Sequence, residues 1–180
     1  MMPRTRTRLL KDTFEERACT PKKMKILFIC THNRCRSILS EAIVNHLSAG
    51  RIQAASAGSQ PVGEVHPLSL KYLSAAGIAC QGLASQSWHE LEDFNADVVV
   101  TVCDSAAQEA CPAWFGKAIK LHWGLKDPSK VQGSEQQVQA EFLNCMAEIE
   151  RRVQAMLSLD LENLAGGALK AELVKLGAEG

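Results

Sequence analysis

Apolar residues along the chain fall into two rhythms. Ile26, Leu27, Phe28 and Ile29 are consecutive, and residues 97–103 hold Val98, Val99, Val100 and Val102; such runs of strand formers predict strands buried on both faces. Residues 52–57 predict another strand ahead of Gly58 and Pro61. Residues 118–122 predict a weaker one, with Lys120 marking an edge or a strand end. Between the strands, apolar positions recur every three or four residues. Ile38, Leu39, Ala42, Ile43, Val44 and Leu47 line one face of a helix that Gly50 ends. Pro67 suits a first helical position ahead of Leu68, Leu70, Tyr72, Leu73, Ala75 and Ala76, with Gly77 as the stop. Residues 106–110 predict one helical turn. Residues 134–159 predict a long helix with Val138, Phe142, Cys145, Met146, Ile149, Val153, Met156 and Leu157 on one side.

Strands alternating with helices predict an α/β domain with a four-stranded parallel sheet and helices on both faces. Right-handed crossovers place the first strand between the second and third, giving the order 2-1-3-4. Ligands bind such sheets where the winding reverses, at the carboxyl ends of the first and third strands. Cys30 and Cys103 occupy those ends. Two thiols more than 70 positions apart are therefore predicted to share one crevice.

With 180 residues, 46% of them apolar and 22% charged, the chain suits one globular domain with an aliphatic core. No apolar run approaches the roughly 20 residues a membrane helix needs. The net charge of zero is unevenly spread. Residues 1–25 carry eight Lys or Arg against three Asp or Glu, and the remainder twelve against seventeen. The reading is a disordered basic extension over 1–23, a domain over 24–160, and a tail over 161–180. Gly166 and Gly167 introduce a short amphipathic helix in that tail, free to dock, pair or fray. The extension lacks the apolar core of a secretory signal, and the body has no basic face to continue a nucleic-acid arm. Seven cysteines, an odd number with no CxxC pair, argue for reduced thiols in a cytoplasm and against a zinc site.

The stretch KILFICTHNRCRSILSE, Lys25 to Glu41, joins a strand to a helix through the loop Cys30 to Arg36. Backbone N–H groups and the positive end of the helix dipole converge there, so the loop predicts an anion site. A cysteine at the loop's start, with Arg34 and Arg36 beside it, is a candidate nucleophile. Arg36 offers a planar fork to two oxygens of a tetrahedral anion. Ser37 can donate to a thiolate, and Asn33 tolerates left-handed backbone in a tight loop. Thr31, His32 and Cys35 complete the loop as substrate-binding positions, and Asp127 is a candidate general acid. If the bound centre is phosphorus, water cleaves the thiol adduct. If it is arsenic, a second thiol can attack Cys30 and expel arsenite, and Cys103 is placed to do so. Cys111 can then take over the disulfide, and Cys35 is the alternative partner for Cys30.

FICTHNRCRS, SAGS at Ser56 to Ser59, VVVTVCDSAAQEACP and HWGLKDPS together resemble the bacterial arsenate reductases built on the low-molecular-weight tyrosine phosphatase fold. The likeness spans residues 24–156. It implies Cys30 as nucleophile, Arg36 and the loop amides as arsenate holders, Cys103 and Cys111 as second and third thiols, and Asp127 as acid. It implies no bound cofactor and an external reductant, glutathione with glutaredoxin or thioredoxin. Thioredoxin-linked members usually have one residue fewer between the second and third thiols. His32 and Arg34 look closer to members associated with glutaredoxin. The rival readings are a tyrosine phosphatase and a non-catalytic oxyanion-binding protein. Phosphatases usually carry an aromatic residue after Asp-Pro, where this chain has Ser129. A monomer that binds neither nucleic acid nor membrane completes the expectation.

Overall fold

The computed structural model describes residues 22–178. The basic extension expected over 1–23 lies outside them apart from Lys22 and Lys23, as do Cys19 and the last two residues. Four strands, β1 (Met24–Ile29), β2 (Ile52–Ala57), β3 (Val98–Thr101) and β4 (Ile119–His122), form a parallel sheet in the order β2-β1-β3-β4. The predicted topology is thus observed. β1 is central, and Ile26, Leu27, Phe28 and Ile29 are all but inaccessible to solvent.

The helices are α1 (Arg36–Leu47), α2 (Pro67–Ala75), α3 (Asp104–Gln108), α4 (Glu135–Leu157) and α5 (Gly166–Ala178). α1 and α4 pack on one another, and α2 and α5 also reach α4. The α4 face predicted from periodicity is buried at Phe142, Cys145, Met146, Ile149, Val153 and Met156, with Arg152 joining it. Glu148 takes up the Arg152 charge at 2.7 Å. α5 docks on β4 through Leu169, Leu173 and Leu176, and the Trp123 indole N–H donates to the Leu173 carbonyl at 3.2 Å. A Cβ on Gly177 would meet the Trp123 ring at 2.6 Å, so only glycine lets the helix approach this closely.

Two elements differ from the sequence reading. β3 ends at Thr101, because Cys103 turns to cap α3, its sulfur accepting the Ala106 N–H at 3.4 Å. Cys103 is therefore the first residue of a strand-to-helix turn. Residues 88–94 form a 3₁₀ helix that apolar periodicity does not reveal, since none of its residues is buried. Its start is nevertheless written in the chain: Ser87 and Glu90 make a capping box.

Candidate active site

The loop from Cys30 to Ser37 leaves β1 and enters α1. Its carbonyls are turned onto the segment after β2: Thr31, His32 and Arg34 accept from the N–H groups of Gln60 (2.9 Å), Val62 (3.3 Å) and His66 (2.8 Å). Among the described residues, no backbone N–H from Thr31 to Ser37 donates to a backbone carbonyl. The N–H of His32 turns to Cys30 and that of Thr31 to Cys103, while the donors from Asn33 to Ser37, at the N-terminus of α1, remain for an anion. The Nε groups of Arg34 and Arg36 are also buried without a hydrogen-bond partner.

A buried polar network fixes this shape. Asn33 has φ +45° and is inaccessible to solvent. Its Nδ2 donates to Ser37 Oγ and Ser56 Oγ, each at 2.9 Å, and its Oδ1 accepts the Gln86 N–H at 2.8 Å. Ser56 Oγ in turn donates to the Glu41 carboxylate at 2.6 Å. Burial pushes Glu41 up to about 7 against the lowering effect of that bond. β2 delivers Ser56 and then Gly58, where a Cβ would lie 2.5 Å from the Thr31 carbonyl and 2.9 Å from that of Cys30. Glu41, Gly58 and Gln86 escape the sequence reading because each acts on the loop from outside it. Gly58 within SAGS was the available signal.

Cys30 and Cys103 come together as the topology predicts. Both are buried, and the thiols lie near enough that each is the first influence on the other's proton affinity. Cys103 and burial raise Cys30, against the opposing pull of Arg36 and the His32 N–H. Cys30 lowers Cys103, helped by the Ala106 N–H and by Thr31, whose Oγ1 lies 3.7 Å from Cys103 Sγ. Thr31 Oγ1 also donates to Glu109 Oε1 at 3.2 Å.

Arg36 is engaged with the loop after β4. Its Nη1 donates to the Leu125 carbonyl at 3.1 Å and its Nη2 pairs with Asp127 Oδ2 at 2.9 Å. Asp127 Oδ1 accepts from the Ser129 N–H (3.1 Å) and hydroxyl (2.6 Å). So Ser129, standing where the phosphatase reading wants an aromatic ring, instead holds the carboxylate. Cys35 is buried, and burial pushes its thiol up to about 11, opposed by the neighbouring Ser69. Cys111 is exposed on the segment after α3, apart from the Cys30–Cys103 pair. His32 is exposed on the loop and Arg34 is half-buried.

The arrangement presents a cysteine pair beside the loop amides from Asn33 to Ser37 and two guanidinium groups. Such a site can bind a tetrahedral oxyanion and support two successive thiol attacks. A cleft of about 580 Å³, lined by Lys22, Met24, Asp97, Lys117, Leu161 and Leu169 among others, lies where the strands begin, and contains none of these groups. No group of three or more His, Cys, Asp or Glu residues among those described is arranged to hold a metal ion.

Residues 25–172 match the family model described as low molecular weight phosphotyrosine protein phosphatase. An arsenate reductase of Shouchella clausii is 33% identical over 131 residues, 73% of this chain and 93% of that protein. A glutaredoxin arsenate reductase of Synechocystis is 30% identical over 137 residues, 74% of this chain and 96% of that one. A solved structure of an arsenate reductase in a phosphate-binding state superposes with a TM-score of 0.63 at 27% identity, covering 75% of this chain and 97% of the other. The chain belongs to the low molecular weight phosphotyrosine protein phosphatase family, and these relatives within it are arsenate reductases.

Proposed function

We propose that this protein reduces arsenate to arsenite by a cysteine relay, with electrons drawn from an external thiol. The observation that carries the reading is the pair of neighbouring buried thiols, Cys30 and Cys103, beside the oxyanion loop. A hydrolase of this fold has no use for the second thiol, whereas a reductase needs it.

The steps follow from the geometry. Arsenate seats on the loop amides and takes the Arg36 guanidinium, a fork that matches two of its oxygens. Cys103, drawn below the ordinary thiol range by its neighbours, accepts the Cys30 proton, and the Cys30 thiolate attacks arsenic. An As–O bond breaks and the oxygen leaves as water. Asp127, released as the Arg36 guanidinium turns to the substrate, is the acid that supplies the proton for it. Cys103 then attacks Cys30 Sγ. An S–S bond forms, the S–As bond breaks, and its electron pair stays on arsenic, reducing As(V) to As(III) while two thiols become one disulfide. Cys111 is the candidate third thiol. Its exposure suits exchange with a reductant protein such as glutaredoxin or thioredoxin.

The test is turnover with arsenate, supplying thioredoxin or glutathione with glutaredoxin in separate arms and an aryl phosphate as control. Arsenite formation supports the reading. Aryl phosphate hydrolysis without arsenite production contradicts it.

A further inference from the structure

The thiol relay requires Cys103 twice, first as the base that takes the Cys30 proton and then as a thiolate nucleophile. Between the two events it must lose that proton. Once Cys30 is bonded to arsenic it has no S–H to offer, so its lowering effect on Cys103 is gone.

The surroundings of Thr31 supply an exit. Its single hydroxyl hydrogen is donated to Glu109 Oε1 at 3.2 Å, while its oxygen lies 3.7 Å from Cys103 Sγ. With the hydrogen committed to the carboxylate, a protonated Cys103 is the donor in the second contact, S–H to Oγ1. The reverse arrangement is equally complete: a protonated Glu109 donates to Thr31, and Thr31 donates to the Cys103 thiolate. The two arrangements differ only in the positions of two hydrogens along one line of three side chains. Glu109 is half-buried among exposed neighbours, so it can return its proton to water afterwards.

We propose that Glu109 is the proton acceptor for the second step, drawing the Cys103 proton through Thr31. The proposal rests on the relay reading above. Written out, Cys103–SH and Glu109–COO⁻ become Cys103–S⁻ and Glu109–COOH, with Thr31 giving one hydrogen and receiving another. The new thiolate attacks Cys30 Sγ as described, and no further oxidant or reductant enters. Two other carboxylates of the site are engaged elsewhere: Asp104 of α3 faces His122 of β4 at 3.3 Å, and Asp127 pairs with Arg36. Glu109 acts through Thr31 and touches neither arsenic nor Cys30, so it is a positioning and proton-accepting residue.

The experiment is a single turnover of full-length protein with arsenate, quenched with an alkylating reagent, with the Cys30–Cys103 disulfide followed by peptide mapping. Glu109→Gln keeps an acceptor for Thr31 but removes the base. At pH 6.5 to 7 its disulfide should form at least ~10-fold more slowly, the low end of what general-base groups contribute. The deficit should shrink as pH rises toward 9, where a free thiol ionises unaided. Thr31→Val should show the same loss, Thr31→Ser should restore the rate, and Glu109→Gln with Thr31→Val should lose no more than either alone. A Glu109→Gln rate equal to wild type across that range, or additive losses in the double variant, overturns the proposal. If wild type itself forms no Cys30–Cys103 disulfide, the relay reading fails before Glu109 is tested.

Discussion

The two walls of the site are built differently although each carries one cysteine of the pair. The Cys30 wall is tied from several directions: Asn33 is held by Ser37, Ser56 and Gln86, and the loop carbonyls by Gln60, Val62 and His66. The Cys103 wall is a five-residue helix followed by the segment carrying Glu109 and Cys111, tethered to the loop by the bonds of Thr31. Preorganised donors bind a transition-state charge without rearranging, which suits the wall that holds the oxyanion. A thiol relay needs the opposite on the other side. The second cysteine must reach Cys30 and then turn to a third thiol, and a short helix with few packed neighbours opens at low cost.

The contrast is broken most completely by removing its first thiol. Cys30→Ser should abolish arsenate reduction, a loss of at least ~10³-fold, since no other group at the loop can be the nucleophile; arsenite production by the variant under the same reductant checks this. Next, Gly58→Ala should damage the rigid wall from outside, because its Cβ has no room against the Thr31 and Cys30 carbonyls. Denaturant unfolding should show a loss of about 2–3 kcal/mol, with arsenate affinity falling alongside. Asn33→Ala removes three buried hydrogen bonds and leaves Ser37 and Ser56 short of a partner. A loss of about 2–4 kcal/mol is expected in the same assay.

Smaller effects sharpen the comparison. Glu41 lies under the rigid wall, and its folded value of about 7 stands above the ordinary 4.5. The folded state therefore holds this proton more tightly than the unfolded chain does. Its contribution is full below about pH 4.5 and is lost as pH rises through about 7. Glu41→Gln should flatten the pH dependence of the urea midpoint across that window. On the Cys103 wall, Cys111→Ser should change stability by no more than ~0.5 kcal/mol, because the side chain is exposed. It should leave the first Cys30–Cys103 disulfide intact while slowing multiple turnover with a protein reductant.

Much of this was legible in the chain because it is local or topological. Unbroken apolar runs mark β1 and β3, and the crossover rule then places Cys30 near Cys103 without any contact information. Less legible were groups whose role depends on who faces them. Glu41 reads as a helix surface residue until Ser56 is seen above it. Glu109 reads as a solvated charge until Thr31 meets it. Asp127 looks like a free acid, yet the fold closes it onto Arg36 and Ser129, so the acid role proposed for it waits on the substrate. α5 was ambiguous for a related reason: three leucines at helical spacing do not say that β4 and Trp123 receive them.

The central claim is that Cys30 and Cys103 act as one redox pair. The most direct measurement is to add arsenate to fully reduced protein without any reductant, quench, and map the disulfides by mass spectrometry. The account predicts one Cys30–Cys103 disulfide or, after handover, Cys103–Cys111, with one arsenite released per protein. Cys30 joined to Cys35, or arsenate consumed with all thiols still reduced, would contradict it.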